Sequence, residues 1–557
     1  MKRRIERLEF LHKVAIELSA EKDMDRLVEI ILDKAKHLCN ADAGTLYLRT
    51  DDDHLRFAIM RTKSLQIELG GTTGKRINLP PLPLYDVTTG KPNHHNIATY
   101  SALETKSINI PNAYSHQGFD FSGTKSFDLR NGYRSTSFLC IPLVNYQSRV
   151  VGVLQLINAM DPQTHAVIPF TDDLQEFVET LAYQAAIALD NNLLLQEQKQ
   201  LMESFIKLLA AAIDAKSPYT GGHCERVPVV TELLAKAACE CSEGPLADFD
   251  MDDADWYELR IAAWMHDCGK VTTPVHIMDK ATKLETIYDR ITLVQSRFEI
   301  LKRDREIEML RAVMQEPDRR AELEEGYQAE IAQLDEEFAF LKNANTGGEY
   351  LAPEVQQRIR EIGMRRYHEN GAERFLLSEE EIANLSIAKG TLTPEERIII
   401  NGHMVQTIKM LEALPWPRNL SRVPEIAGGH HEKMDGTGYP KGLFAGDMST
   451  PARIMAIADV FEALTAQDRP YKKGKTLSET MRIMGFMKQD NHLDPDLLDL
   501  FVRSGVYRVY GEKFLPEELI DHVDEEALLA MKPKPFEVPA KEERDKRWRD
   551  FLPHYRF

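Results

Sequence analysis

The feature that most constrains this chain is a pair of adjacent histidines that opens a loop containing glycine and proline. The stretch reads His430-His431-Glu432-Lys433-Met434-Asp435-Gly436-Thr437-Gly438-Tyr439-Pro440. Its glycines and proline predict a turn, because glycine admits positive φ and proline fixes its own φ. Two imidazoles and two carboxylates beside such a turn indicate a metal site.

A second stretch, His266-Asp267-Cys268-Gly269-Lys270, lies upstream of the first. Together the two resemble the paired motifs of the HD-GYP family of metal-dependent phosphodiesterases. The resemblance extends over roughly residues 200–510. It implies a helical domain whose side chains bind two metal ions and hydrolyse a cyclic dinucleotide.

The family motif can be carried over to this chain residue by residue. The resemblance implies seven metal ligands, which are His223, His266, Asp267, His403, His430, His431 and Asp459. By the same resemblance, Asp267 would bridge the two cations. Nitrogen and oxygen ligands with no thiolate pair suit several divalent metals. We expect iron or manganese, with zinc, cobalt and nickel as alternatives.

Two of these motif residues are expected to act in catalysis, Asp267 and Lys270. Paired metals can activate water and polarise a phosphodiester oxygen. Lys270 follows His266 by about one helical turn, so a continuous helix would place its ammonium on the same face, beside the phosphate. The same helical rotation turns Cys268 away from that face, and we expect it in the core.

The resemblance also implies substrate contacts outside the metal ligands. They are Lys270, Gly438, Tyr439, Pro440, Arg469 and Lys472. Family members that hold three metals have Glu four residues before the histidine that aligns with His223, where this chain has Tyr219. We therefore expect two metals, and a linear dinucleotide (pGpG) as the favoured product, with further cleavage to GMP as the alternative.

The N-terminal part has a different pattern. Apolar periodicity over residues 4–39 predicts two helices, residues 43–48 and 55–59 predict a hairpin, and residues 137–143 and 150–157 predict central strands. Residues 20–190 resemble a GAF domain. In that family an Asn-Lys signature accompanies cyclic nucleotide binding, but here Ala159 follows Asn158. The resemblance therefore implies an unidentified small-molecule ligand, or a domain that only dimerises or relays motion.

Between these two regions the sequence predicts a long helix with a heptad pattern. The residues of this pattern are Leu181, Ala185, Ala188, Asn192, Leu195, Lys199, Met202, Ile206, Leu209 and Ile213. Polar residues at core positions favour a two-stranded parallel coiled coil, so we expect a homodimer through residues 181–213. The alternative is a helix that packs within its own chain.

A segment that the HD-GYP family does not usually carry lies at residues 285–389. Two apolar heptad stripes, separated by Pro317, predict an antiparallel helical hairpin. The hairpin could serve as an oligomer contact or a partner surface, or have no such role. The charged, proline-containing end of the chain is expected to be either a loosely docked arm or disordered.

Composition limits the remaining possibilities. A chain of 557 residues is too long for a single hydrophobic core, which indicates several domains. Its net charge of −19 argues against binding DNA or RNA. We find no apolar run long enough for a membrane span and no signal-peptide pattern, so we expect a cytoplasmic protein without a membrane partner. The six cysteines form no CxxC pair and no recognisable disulfide framework.

The expected fold is multidomain, α and α+β. The predicted segments are a GAF sensor at 1–180 with an antiparallel sheet and flanking helices, a coiled-coil helix at 181–214, an all-α HD-GYP domain at 215–510, and a C-terminal helix and tail at 511–557. The expected substrate is cyclic di-GMP, with 3′,3′-cyclic GMP-AMP as the alternative. An alternative that is not an enzyme is a receptor that binds a dinucleotide or a protein without hydrolysis. A third possibility, hydrolysis of ordinary nucleotides, is disfavoured by the GYP motif.

Overall fold

The computed structural model describes residues 2–86, 88–216, 222–347, 350–467 and 474–540. The chain divides into two units, Met1–Met202 and Glu203–Phe557. Among the described residues, no helix is both long enough and apolar enough to cross a membrane. The boundary between the units lies inside a helix, so the domain limits at 180 and 215 stay predictions.

Within its described residues, the first unit combines five α-helices with eight strands. In chain order they are α1 Lys2–Ala20, α2 Met24–Cys39, β1 Ala41–Arg49, β2 His54–Thr62, β3 Ile67–Gly70, β4 Leu82–Pro83, α3 Ile97–Glu104, β5 Ile108–Ile110, α4 Ser122–Asn131, β6 Phe138–Val144, β7 Val150–Met160, β8 Val167–Ile168 and α5 Asp172–Lys216. Helix α5 begins in this unit and ends in the second.

These strands form one antiparallel sheet in the order β3-β2-β1-β7-β6-β5, with β4 beside β2 and β8 beside β7. The predicted hairpin and central strands are confirmed, since Leu46 pairs with Ile59 and Leu139 pairs with Leu156. One face of the sheet is covered by α1, α2 and the first part of α5. The fold is therefore the GAF-like sheet with flanking helices that the sequence predicted.

Asn158, the residue of the GAF signature, has a structural function here. It is buried, and its φ of 57° lies in the left-handed region that asparagine tolerates better than most residues. Its Oδ1 accepts the amide of Thr136 at 2.7 Å, and its Nδ2 donates to the Arg134 carbonyl at 2.8 Å. The side chain thus fixes the segment that leads into β6.

The predicted heptad seam is wrong for the first part of α5. Leu181, Ala185 and Ala188 are buried in the core of their own unit, and Asn192 Nδ2 donates to the Glu21 carbonyl at 3.1 Å. Residues held inside one chain cannot face a second copy. The first part of α5 therefore packs within its own chain, which was the alternative prediction.

The second unit is mainly helical. Its elements are α6 His223–Cys239, α7 Asp253–Met265, α8 Val275–Met278, α9 Ile291–Gln315, α10 Arg320–Ala344, α11 Pro353–Gly363, β9 Arg366–Glu369, β10 Ala372–Phe375, α12 Glu379–Leu385, α13 Pro394–Glu412, α14 Val423–Gly428, α15 Thr450–Thr465, α16 Leu477–Gln489, α17 Pro495–Arg503, α18 Val506–Phe514 and α19 Glu525–Ala530.

Helices α9 and α10 form the antiparallel hairpin that the two apolar stripes predicted. Phe298 packs on Phe338 with ring centroids 5.5 Å apart, and Lys302 Nζ lies 2.6 Å from Asp335 Oδ1. The rest of the 285–389 segment is not a simple hairpin, because it adds α11, α12 and the strand pair β9-β10. Asn370 and Gly371, both at positive φ, form the turn between these strands, and this Asn-Gly signal was present in the sequence.

The described part of the C-terminal tail, which belongs to the second unit, is hydrogen-bonded to the rest of that unit. Lys534 donates its amide to the Gln489 carbonyl at 2.9 Å, and its carbonyl accepts Asn491 Nδ2 at 2.7 Å. The carbonyl of Asn491 in turn accepts the Met434 amide at 2.9 Å. The late aromatic residues of the tail lie outside the described residues.

Candidate metal centre

The seven side chains proposed as ligands come from five helices or their ends. His223 begins α6, His266 directly follows α7, and His403 lies in the middle of α13. The pair His430-His431 follows α14, and Asp459 lies on α15. Helices distributed over residues 223–465 of the unit therefore converge on one point.

The structure brings all seven residues into two overlapping groups. One group contains Asp267, His403, His430 and His431, the other contains His223, His266, Asp267 and Asp459, and within each group the donor atoms lie within 4.8 Å of one another. Asp267 belongs to both. The seven sequence-predicted positions thus lie together, with His431 half-buried and the other six buried.

The two carboxylate oxygens of Asp267 face different groups. Its Oδ1 lies 3.3 Å from His403 Nε2 and 4.0 Å from His430 Nε2. Its Oδ2 lies 3.4 Å from His223 Nε2 and 3.3 Å from His266 Nε2. The carboxylate therefore has the placement that a ligand shared between two cations requires.

Three of the histidines are oriented by the helices that carry them. The Nδ1 of His266 donates to the Ala263 carbonyl at 2.7 Å, that of His403 to Ile400 at 2.5 Å, and that of His430 to Ala427 at 2.6 Å. A proton held on Nδ1 leaves the Nε2 lone pair directed into the pocket. This is the tautomer that a metal-binding imidazole needs.

The remaining histidine of the second group, His223, is held by residues that the sequence analysis missed. Its Nδ1 contacts Glu462 Oε2, and the other oxygen of Glu462 accepts Arg226 Nε at 2.7 Å. Glu462 lies three residues after Asp459 on α15, so both side chains are on the same helix face. That spacing was readable in the sequence and could have identified Glu462 as a positioning residue.

Three of the potential metal-ligand atoms in this cluster are buried and have no hydrogen-bond partner in the described part of the chain. Asp267 Oδ1, His403 Nε2 and His430 Nε2 are buried and make no hydrogen bond there. Buried polar atoms without partners are rare and costly in folded proteins. Lone pairs on carboxylate and imidazole atoms that face each other fit a cation between them.

The electrostatics of the pocket agree with a cation site. Burial, together with neighbouring His266, lowers the pKa of His430 to about 4, so its imidazole remains neutral and able to bind a metal. Against the effect of burial, Asp267 raises the pKa of His266 to about 9. The carboxylates therefore attract positive charge, which a divalent cation would supply.

The nearby cysteine does not belong to this donor set. Cys268 is buried, and burial raises the pKa of its thiol to about 12. A protonated thiol is a poor metal ligand. The residues thus fit the nitrogen and oxygen ligand set of a hard or borderline divalent metal.

Lys270 lies beside the candidate metal centre, as predicted, but the continuous helix that was expected to place it there is not present. Helix α7 ends at Met265, and a 3₁₀ turn, Cys268–Thr272, carries the lysine instead of a continuous α-helix. Its Nζ lies 2.5 Å from Asp267 Oδ2. Although burial opposes the charge, Asp267 and Asp459 raise the pKa of Lys270, so the ammonium is retained.

Gly269 allows this turn to approach α13. A Cβ at this position would lie 2.0 Å from the His403 carbonyl oxygen and 2.5 Å from the Thr407 amide nitrogen. The glycine amide donates to Thr407 Oγ1 at 2.9 Å. Because backbone atoms block a side chain, the close contact between the two ligand-bearing segments depends on glycine.

We refer to residues 433–443 as the GYP loop. Buried Glu432 accepts the amides of Lys441 at 2.7 Å and Leu443 at 2.9 Å, which closes the loop on itself. Tyr439 stacks on His431 with ring centroids 4.9 Å apart, and the Tyr439-Pro440 peptide bond is cis. The loop therefore places its tyrosine against one of the proposed ligands.

Gly438 also permits a close backbone contact in this loop, since a Cβ there would lie 2.4 Å from the Lys433 amide nitrogen. The predicted substrate positions Gly438, Tyr439 and Pro440 are thus grouped at His431. Arg469, Lys472 and Tyr219 lie outside the described residues. Their predicted roles stay predictions.

Comparison with known protein families identifies two regions. A profile of the HD domain matches residues 379–497, and a profile of the GAF domain matches residues 23–189. The HD match contains His403, His430, His431 and Asp459. His223, His266 and Asp267 precede it on the other side of the α9-α10 hairpin, and the structure brings them to the matched part.

Three curated relatives resemble parts of the chain. The 3′3′-cGAMP-specific phosphodiesterase 1 of Vibrio cholerae is 41% identical over 21% of this chain and 26% of its own length. The 3′3′-cGAMP-specific phosphodiesterase 3 of the same species is 24% identical over 60% of this chain and 43% of its own length. A cyclic di-GMP phosphodiesterase of Pseudomonas aeruginosa is 38% identical over 22% of this chain and 28% of its own length. The chain thus matches less than half the length of each of these relatives.

The Gly269 contact yields a direct prediction. We expect Gly269→Ala to displace the 3₁₀ turn from α13 and to lower the affinity of the purified protein for manganese by about 10-fold or more, because misplaced ligand segments bind metal less tightly. The measurement is isothermal titration with Mn²⁺ after removal of bound metal.

Gly326→Ala is the matched control. Gly326 lies on α10, and a Cβ at this position would have no neighbouring atom within 4 Å, so the substitution should leave manganese affinity unchanged. Equal affinities for the wild type and Gly269→Ala would contradict the proposed dependence on this contact.

Proposed function

We propose that this chain, which joins a GAF domain to an HD domain, is a metal-dependent phosphodiesterase that hydrolyses cyclic di-GMP. The observation that carries the proposal is the placement of Asp267 between two groups of imidazoles, with one oxygen toward each. Such an arrangement supports two cations that share one carboxylate.

The two groups would each hold one divalent cation. His403, His430 and His431 would bind one, His223, His266 and Asp459 the other, and Asp267 both. When bound, such a pair supplies Lewis acidity toward a phosphodiester oxygen and lowers the pKa of water. We propose iron or manganese as the native metal, with zinc, cobalt or nickel as alternatives.

The chain itself supplies the groups that bind and orient the substrate. The Lys270 ammonium lies at the edge of the pocket with a fifth of its side chain exposed, so it can hold a non-bridging phosphate oxygen beside Asp267. Gly438, Tyr439 and Pro440 would contact the dinucleotide from the GYP loop. Arg469 and Lys472 are proposed as further phosphate contacts from the sequence alone.

The proposal also specifies the second base of the cyclic dinucleotide, which is guanine in cyclic di-GMP and adenine in 3′,3′-cyclic GMP-AMP. Two of the relatives named above are specific for 3′3′-cGAMP and the third hydrolyses cyclic di-GMP, as their names state. 3′,3′-cyclic GMP-AMP is therefore the alternative substrate. A two-cation centre favours the linear dinucleotide pGpG as product, and a receptor that binds without hydrolysis is the rival function.

The GAF domain is proposed to bind a small molecule, and the chain is proposed to form a homodimer through the helix at 181–213. The residues that support a dimer differ from the predicted seam. Ile187, Leu194 and Leu201, spaced by seven residues on α5, are 49%, 47% and 58% exposed. Apolar side chains in such a heptad spacing suit packing against the same helix of a second copy. The cytoplasmic location stays a prediction from the sequence.

The catalytic proposal is tested with the purified full chain. Loaded with Mn²⁺, or with Fe²⁺ under anaerobic conditions, it should convert cyclic di-GMP to pGpG, and the same assay is run with 3′,3′-cyclic GMP-AMP. Asp267→Asn should reduce turnover by about 100-fold or more, because the shared ligand loses its charge. Products are separated and quantified by chromatography.

Asp318→Asn, an exposed position in the turn between α9 and α10, is the matched control and should retain wild-type turnover. A protein with full metal occupancy that binds either dinucleotide without hydrolysing it would refute the enzyme and favour the receptor. If the enzyme turned over 3′,3′-cyclic GMP-AMP faster than cyclic di-GMP, 3′,3′-cyclic GMP-AMP would become the proposed substrate.

The dimer proposal has its own test. Leu194→Glu combined with Leu201→Glu places like charges in the exposed stripe, so the full chain should sediment as a monomer at micromolar concentration where the wild type sediments as a dimer. Gln196→Glu adds a charge at an exposed position of the same helix outside the stripe and should leave the dimer intact. A monomeric wild type would end the proposal.

A further inference from the structure

The last turn of α5 carries two side chains that reach segments of the metal centre. Helix α5 ends at Lys216, and Asp214 lies two residues earlier. Both residues belong to the second unit, as do all the residues that they contact below. None of these contacts was expected from the sequence.

Lys216 is bonded to the turn that carries Lys270. Its Nζ donates to the carbonyls of Lys270 at 3.0 Å, Val271 at 2.5 Å and Thr273 at 2.7 Å. The 3₁₀ turn Cys268–Thr272 ends here, and carbonyls at the end of a helical turn need hydrogen-bond donors from elsewhere. One ammonium has three donors, so a single side chain binds all three carbonyls.

Asp214 is bonded to the segment that carries His223. It is buried, and its Oδ2 accepts the amide of Cys224 at 3.2 Å. Helix α6 begins at His223 behind Gly222, which has no side chain to accept a hydrogen bond from the first amides of the helix. A carboxylate from α5 therefore acts as the cap of α6.

The two contacts connect one helix end to both halves of the metal centre. Through Lys216 it holds the turn that presents Asp267 and Lys270, and through Asp214 it holds the start of α6 and so His223. We propose that Asp214 and Lys216 are positioning residues through which the location of the α5 end sets the rate of hydrolysis. This inference rests on the proposed function of the same site.

The physical basis is that each contact is charge-assisted and local. Hydrogen bonds from an ammonium or to a carboxylate are about twice as strong as neutral ones, so they fix the geometry of the segments that they join. Displacement of the α5 end would release the carbonyls of Lys270, Val271 and Thr273 together with the α6 cap. Catalytic groups displaced by even about 1 Å lower the rate of an enzymatic reaction strongly.

The inference predicts a change in turnover rather than in substrate affinity. In the Mn²⁺-loaded full chain, Lys216→Met removes the ammonium but keeps an apolar stem of similar length. We expect kcat for cyclic di-GMP to fall by about 10- to 100-fold, because Asp267 and Lys270 are displaced. KM should change by less than about twofold, because the proposed dinucleotide contacts of the GYP loop do not involve Lys216. Lys216→Arg, which keeps the charge and several donors, should restore much of kcat.

Hydrogen exchange provides a readout that does not depend on activity. Amides in 268–273 should exchange roughly tenfold faster in Lys216→Met than in the wild type, and those in 223–226 should do so in Asp214→Ala, because lost contacts raise local opening. Lys236→Met is the matched control. Its Nζ lies on exposed α6 surface, 3.9 Å from Glu240 Oε1, and neither readout should change.

The outcomes separate this inference from the proposed function. If the wild type hydrolyses neither dinucleotide, the proposed function fails, and the exchange data alone decide whether Lys216 and Asp214 hold these segments. Unchanged exchange at 268–273 in Lys216→Met, or unchanged kcat in an active enzyme, would overturn the inference. If Lys216→Met does not fold, Asp214→Ala tests the same coupling at 223–226 and in kcat.

Discussion

The candidate metal centre of the second unit is built around the carboxylate of Asp267, which is buried between two sets of imidazoles. A buried carboxylate is costly unless opposite charge or hydrogen bonds compensate it. Lys270 compensates one oxygen at 2.5 Å, while the other oxygen has no hydrogen-bond donor among the described residues. The uncompensated oxygen, with the Nε2 atoms of His403 and His430 near it, is the strongest structural reason to place a cation there.

The surrounding scaffold keeps these donors in place. Backbone carbonyls at 263, 400 and 427 fix the rings of three histidines, and Glu462 fixes a fourth. Gly269 brings the turn with Asp267 against α13, and Glu432 closes the GYP loop beside His431. These contacts restrict the orientation of side chains and segments that would otherwise be free to turn toward water, so the fold itself arranges the candidate metal ligands.

Much of this arrangement could be predicted from the sequence, for physical reasons. His266-Asp267 and His430-His431 resemble the paired motifs of the HD-GYP family, and that resemblance implied the set of metal ligands. Alternating apolar residues likewise predicted β1, β2, β6 and β7. The hairpin of α9 and α10 followed from its two stripes, because periodicity reports which face of a helix is buried.

Other features could not be read in this way. The stripe that begins at Leu181 has heptad spacing, but periodicity does not say whether the buried face meets the same chain or another, and here it meets its own sheet. The position of Lys270 was predicted from a helix that ends at Met265. The contact of Lys216 with three carbonyls joins segments far apart in sequence, and an ordinary lysine at a helix end gives no sign of it.

The central claim is that Asp267 is shared by two cation sites, and the most direct measurement is the location of metal in crystals of the full chain grown with Mn²⁺. Anomalous scattering should give two peaks, one near each oxygen of Asp267, with His403 and His430 beside one and His223 and His266 beside the other. A single peak that leaves either group of histidines without a cation, or no peak at all, would contradict the account.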